Sequence, residues 1–349
     1  MSYFDKYVSN TLAGTSNQCY FSTNNEIRVG RIYIKPFSYG IYEYSLMFSD
    51  TIDSTYADGS ISVANESCGQ WVIHSLKACI KNANVVNETR LYFQGNEKKC
   101  VSNDEIFYTD PVILDVTKES ELYFEIEFSG EKIPYFEEIN INTYVKNGEN
   151  WELNRFVPLP NMVGIACHVE KKIGFLGDSI TQGIGTERDS YKHWNAIIAE
   201  KIGDIYSYWN LGIGFGRAAD AATNGAWLNK AKQMDVVTIC FGVNDLGRGY
   251  TTEQIKMNLK KIVEILQNNG TRTILFTIPP FDYDESTTGK WKEINQYILS
   301  ELSEITEVYD VVPIWGKEPP FENQAKYGGH PDAEGCKELA LDFIKKIHL

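Results

Sequence analysis

The feature that most constrains this 349-residue chain is a change of hydrophobic period near residue 170. Before it, apolar residues alternate. In Glu121–Ser129, the side chains of Leu122, Phe124, Ile126 and Phe128 fall on one face and Tyr123, Glu125 and Glu127 on the other, as a half-buried strand requires. Tyr42, Tyr44, Leu46 and Phe48 repeat the pattern, as do Ile139, Ile141, Thr143 and Val145. Clusters of Asn, Asp, Ser and Gly break these strands, so the expectation is an all-β jelly roll or sandwich. After residue 170, short apolar runs alternate with longer segments of helical period, the pattern of an α/β, doubly wound parallel sheet. Its five strands are expected at Lys172–Leu176, Ile205–Leu211, Val236–Phe241, Thr273–Ile278 and Val308–Ile314. Glu253–Leu266 reads as a helix between two of them, with Ile255, Leu259, Ile262 and Leu266 facing the sheet. Trp151–Glu170, with Pro158 and Pro160, reads as the joint, giving domains of 1–169 and 170–349. Two cores also suit the length.

Composition narrows the function. A net charge of −14 argues against nucleic acid, which needs clustered Lys and Arg to displace counterions; much of that acidity serves solubility. The first residues carry no export signal and no run is long enough to cross a bilayer, so a soluble, cytoplasmic protein without a membrane partner is expected. Seven scattered cysteines with no C-x-x-C pair favour a reducing compartment and no structural metal, with bridges among the four N-terminal ones left open.

In an open parallel sheet, ligands bind beyond the carboxyl ends of the strands. Four such places are chemically loaded. They are Gly177-Asp178-Ser179-Ile180-Thr181, Asn210 through Arg217, Gly242-Val243-Asn244-Asp245, and His330-Pro331-Asp332-Ala333-Glu334-Gly335. A serine, glycine-rich amides, an asparagine and a histidine thus converge on one edge. Gly212-x-Gly214-x-Gly216 lacks the spacing of a dinucleotide fingerprint, because Arg217 stands where its last glycine belongs. The serine is not in a G-x-S-x-G elbow, since Thr181 takes the second glycine position.

This ordered set resembles the GDSL/SGNH hydrolases over the last half of the chain. The resemblance implies an SGNH-hydrolase (flavodoxin-like) fold and a serine esterase, with Ser179 as nucleophile and His330 as base. The backbone N–H groups of Ser179 and Gly216 and the Asn244 amide would form the oxyanion hole. Family members place the second-block glycine five residues after the asparagine, where this chain has Phe215; Gly216 is the preferred match and Gly214 the fallback. Taken singly, Ser179 could be a helix cap, Asn244 a loop cap and His330 a turn residue; only their joint order makes them catalytic. Asp178 reads as structural, and His74, His168, His193 and His348 as core or surface residues.

One departure matters. The family's aspartate, three residues before the histidine, is Tyr327 here. The chain is in this respect similar to carbohydrate esterases of family two, which work with a Ser-His dyad whose histidine is held by a backbone carbonyl, behind an N-terminal jelly roll. Asp332, Glu322 and Glu318 are nearby carboxylates that could replace the missing one. The resemblance implies hydrolysis of short acyl esters, O-acetyl above all, on a sugar or oligosaccharide, with no cofactor and no metal. A lipase, lysophospholipase or thioesterase of the same superfamily is the alternative, as is a glycan-binding protein with a weakened site. The abundant Tyr and Trp are mostly sheet packing, and oligomeric state is left open.

Overall fold

The computed structural model describes residues 2–55 and 62–349. Its first half is built from antiparallel strands in two larger sheets and one small one. One sheet centres on Gly40–Ser49, flanked by Met162–Ala166 on one side and by Ile106–Tyr108 and Val112–Val116 on the other, with Tyr7–Ser9 beyond Met162–Ala166. The other runs Asn150–Leu153, Thr143–Asn147, Arg28–Ile34, Glu121–Gly130, Trp71–Asn82 and Val85–Leu91, with Lys99–Val101 also on Trp71–Asn82. Leu122, Phe124, Ile126 and Phe128 are buried as their alternation requires. The two sheets meet where the Trp71 ring lies 6.1 Å from that of Phe107, which itself stacks on Phe48.

The second half is a five-stranded parallel sheet. Its strands are β1 (Lys171–Gly177), β2 (Tyr206–Gly212), β3 (Val236–Cys240), β4 (Arg272–Phe276) and β5 (Glu307–Tyr309), in the spatial order β2-β1-β3-β4-β5. The main helices between and after them are α1 (Ser179–Gln182), α2 (Trp194–Ile202), α3 (Ala226–Ala231), α4 (Thr252–Asn268), α5 (Glu285–Ser300) and α6 (Ala333–Lys346). In α4 a capping box between Thr251 and Gln254 starts the helix, and Ile255, Leu259, Ile262 and Leu266 are buried. None of the described helices is long and apolar enough to cross a membrane, and all seven cysteines are free.

Three local expectations change. Most of the expected joint is folded: Asn150–Leu153 and Met162–Ala166 are strands of the two β sheets, so the connection shrinks to Cys167–Glu170. Prolines 158 and 160 punctuate the chain between two strands rather than between two domains. Strand structure begins at Thr143, although Ile139 and Ile141 before it are buried. The fifth parallel strand stops at Tyr309; Pro313 has no N–H to give a ladder, and Val312–Trp315 forms a helical turn.

The two halves share one continuous apolar core. Polar groups cross the boundary as well. Trp209 Nε1 donates to Asn161 O at 3.1 Å, and Leu12 O accepts from Asn210 Nδ2 and the His193 ring. Lys230 on α3 meets Asp53 at 2.5 Å, with both side chains at most 5% exposed. Burial pushes the Asp53 carboxyl up, against the opposing pull of Lys230 and the Asn17 N–H. Removing one member of such a pair strands the other charge, which typically costs about 3–5 kcal/mol. Lys230→Met should therefore lower the unfolding free energy measured by chemical denaturation by that order, and adding Asp53→Asn to it should restore most of the loss.

Candidate active site

The turn from β1 into α1 is forced by close packing. A Cβ on Gly177 would lie 2.1 Å from Thr181 Oγ1 and 2.5 Å from Cys240 O, so only glycine fits there. Asp178 then caps α1, accepting from Ile180 N at 3.0 Å, which sets Ser179 at the first helical position. Ser179 Oγ lies 2.8 Å from His330 Nε2, although the two residues are 151 positions apart. The His330 ring meets Phe281 edge-on at 5.2 Å between centroids. Burial lowers its pKa from 6.5, so the neutral, base-competent form persists to lower pH.

The structure thus brings together the expected serine and histidine, but nothing takes the place of the missing aspartate. Among the described residues, Ser179 is the sole hydrogen-bond partner of the His330 side chain, and no carboxylate pairs with it. Asp332 accepts from Glu334 N and Gly335 N as the cap of α6, Glu322 pairs with Lys292 at 2.6 Å, and Glu318 is exposed. The Tyr327 ring packs on Gly335, with its hydroxyl directed to Glu338. Among the described residues no backbone carbonyl bonds to the His330 ring either.

Asn244 follows Gly242, whose φ of +117° suits glycine, and its Nδ2 donates to Gly216 O at 2.9 Å. The neighbouring Asp245 is fully buried and accepts from Ala218 N and Ala219 N at 2.9 and 3.2 Å. It thereby fastens the loop after β2 to the turn that carries Asn244. Within that loop, Gly216 N donates to Ile213 O at 3.0 Å, closing a turn in which Phe215 has φ +59°. A left-handed bulky residue is uncommon and costs backbone energy. It stands where the resembling family has glycine. The Gly216 N–H is occupied inside the protein, whereas the Phe215 N–H has no acceptor among the described residues. Gly214 is pressed between Glu138 and Gln182, and its carbonyl accepts from Gln18 Nε2 at 2.8 Å.

Sequence reasoning passed over Asp245, Gln182 and Glu138. Only Asp245 carried a local signal, as the last residue of the Gly242–Asp245 segment. Gln182 is fully buried; its carbonyl accepts from Asn140 Nδ2 at 2.8 Å and Asn210 Nδ2 at 3.2 Å, and its side chain donates to Glu138 O. His193 is a core residue whose pKa burial lowers to about 4, and it stays neutral against Leu12 O. No cluster of His, Cys, Asp and Glu among the described residues could hold a metal.

Residues 175–337 match the family model described as GDSL-like Lipase/Acylhydrolase. An uncharacterized protein of Mycoplasma pneumoniae is 28% identical over 184 residues, covering 49% of this chain. The match spans only 20% of that curated relative's length. Among solved structures, a lipolytic protein of the G-D-S-L family from Desulfitobacterium hafniense aligns with 49% of this chain and 95% of its own, at 21% identity and TM-score 0.42. An acetyl xylan esterase aligns with 51% and 100%, at 20% and 0.42. The esterase EstA from Pseudoalteromonas sp. aligns with 50% and 97%, at 21% and 0.40.

Two expectations follow from the electrostatics. If His330 acts as a base, the acidic limb of the kcat/KM profile should lie below pH 6.5, because burial lowers its pKa; a limb at or above 6.5 would contradict this environment. Burial, opposed by the Ile180 N–H and reinforced by Asp245, pushes the Asp178 carboxyl up to about 7. Its folded pKa lies above its unfolded one, so its contribution is full below pH 3.8 and is lost as pH rises through 7. Asp178→Asn keeps the cap without the charge, and its melting temperature relative to the parent should climb from pH 4 to pH 8.

Proposed function

We propose that the GDSL-like lipase/acylhydrolase domain in the C-terminal half of this chain works as a serine esterase on short acyl esters, O-acetyl groups on sugars or oligosaccharides in particular. The observation that carries the reading is the 2.8 Å contact between Ser179 Oγ and His330 Nε2 at the carboxyl edge of the parallel sheet. His330 takes the Ser179 proton as Oγ attacks the ester carbonyl. The oxygen that becomes negative is received by the Ser179 N–H, the Asn244 amide and an N–H of the Ile213–Gly216 turn. Phe215 supplies that last donor, since the Gly216 N–H is spent on Ile213. His330 then protonates the leaving alcohol, and water, deprotonated by the same histidine, releases the acid from acyl-Ser179. No cofactor enters these steps.

The sugar-ester reading draws on the Ser-His pair without a carboxylate and on the β-rich half before it, both in keeping with the resemblance to two-domain carbohydrate esterases. In that reading residues 1–169 form a jelly-roll domain and 170–349 the catalytic one. The isolated His330 also favours a second reading, a glycan-binding protein with little turnover.

The test is release of p-nitrophenol from esters running from acetyl to decanoyl. Acetyl-selective turnover, abolished in Ser179→Ala and His330→Ala, is expected; Asn244→Ala should lower kcat by about 10²–10³-fold, the usual effect of one lost oxyanion donor. Preference for long chains would favour the lipase alternative. Sugar binding with no turnover and no labelling of Ser179 by a fluorophosphonate would favour the second reading.

A further inference from the structure

Beside the segment that follows α1 a cleft of about 540 Å³ runs between the two halves, lined by Glu138, Arg155 and Phe156 on one side and Ile184 and Arg188 on the other. Its wall is tied to the backbones that carry Ser179 and His330 by two contacts. Ile184 N donates to Ser179 O at 3.0 Å, and the next residue, Gly185, packs so closely on His330 that a Cβ there would lie 2.9 Å from the histidine Cβ. On the opposite wall Glu138 abuts the oxyanion loop, since a Cβ on Gly214 would lie 2.6 Å from Glu138 Oε2.

Glu138 is the anomaly of this cleft. Its backbone is fixed, with the N–H near Gln18 Oε1 and the carbonyl accepting from Gln182 Nε2. Its carboxylate, half-buried, accepts no hydrogen bond and makes no ion pair among the described residues. Burial raises its pKa from 4.5 and the neighbouring Glu137 adds to the rise, while the Arg155 charge opposes it. A half-buried acceptor held rigidly beside an anion-stabilising loop calls for a hydrogen-bond donor from outside the protein. Gln182 Oε1, buried and without a partner, lies on the same side of Gly214.

We propose that this cleft is the subsite for the alcohol portion of the ester, that its occupant is a neutral polyhydroxylated ring, and that Glu138 accepts a hydrogen bond from one of its hydroxyls. The inference rests on the esterase reading above. An acetyl group needs no cleft of this size, so the space belongs to the leaving group. The lining holds two carboxylates, Glu137 and Glu138, and two guanidiniums, Arg155 and Arg188, so it selects neither a cation nor an anion by net charge. Vicinal hydroxyls can accept from a guanidinium and donate to a carboxylate, and Phe156 offers an apolar edge. A long acyl chain would instead desolvate Glu138 without pairing it.

The experiment compares three acetates with one acyl group and different alcohols: p-nitrophenyl acetate, a mono-O-acetyl methyl β-xylopyranoside, and acetylcholine. Glu138→Gln and Arg188→Ala are each assayed in the full chain, with fluorophosphonate labelling of Ser179 as a check on the folded site. The expected result is at least a tenfold fall in the ratio of kcat/KM for the sugar acetate to kcat/KM for the aryl acetate, carried by KM. An unchanged ratio in both variants, with Ser179-dependent turnover intact, overturns the subsite and leaves the esterase reading standing. A fall confined to acetylcholine replaces the polyol by a cation and overturns the proposal. If no acetate is turned over, calorimetric titration of Ser179→Ala with methyl β-xylopyranoside decides: binding weakened tenfold by Glu138→Gln supports the subsite, and equal or absent binding overturns it.

Discussion

The geometry of the site depends on how a four-residue helix is held. A helix as short as α1 cannot stabilise itself, because one turn fixes several dihedrals for a single hydrogen bond. Its position is imposed from outside. Gly177 allows the chain to turn against Cys240, and Asp178 caps the Ile180 N–H. At the other end, the Gln182 carbonyl is held by Asn140 from the β half and Asn210 from the parallel sheet. Gly212 lies so close to the Gln182 backbone that no side chain would fit. Ser179 is thus pinned by residues drawn from positions 140 to 240, and the β half is part of the clamp.

The same economy of space explains the buried carboxylates. Asp178, Asp245 and Asp53 are all fully buried, and burial raises each of them. Asp178 and Asp245 accept from backbone N–H groups at the start of helical segments, where the peptide dipoles favour a negative charge. They hold α1 and the loop after β2 in place. Asp53 pairs with Lys230 and joins the halves. Each of these carboxyls gives its segment a directional contact that apolar packing does not supply, and burial works against its charged form.

His330 is the contrasting case. It has a partner on one ring nitrogen and none among the described residues on the other, while the position usually occupied by an aspartate holds a tyrosine turned toward Glu338. Its ring meets Phe281 edge-on, and the Gly185 backbone packs against its Cβ. A ring fixed by shape keeps its aim but receives no electrostatic support as it gains a proton, and burial disfavours that proton further.

The amino-acid sequence by itself determined the class of each half and the identity of the central pair. Period-two alternation in residues such as Leu122 to Phe128 is enough to specify a strand, and the 3.6 period of Ile255 to Leu266 a helix, because each pattern has one face to bury. Ser179, Asn244 and His330 were legible because each follows a strand of a parallel sheet, where the topology places loops together. Only the tertiary structure decided which N–H groups are free, which carboxylates are spent as caps, and which residues of the first half reach the second. Gly216 reads as a donor until its N–H is seen bonded to Ile213, and Asp332 as a partner for His330 until it is seen capping α6. Glu138, Asn140 and Gln182 carry no local signal at all. Their roles arise from contacts between distant segments, and periodicity and spacing encode only what neighbours in the chain do to one another.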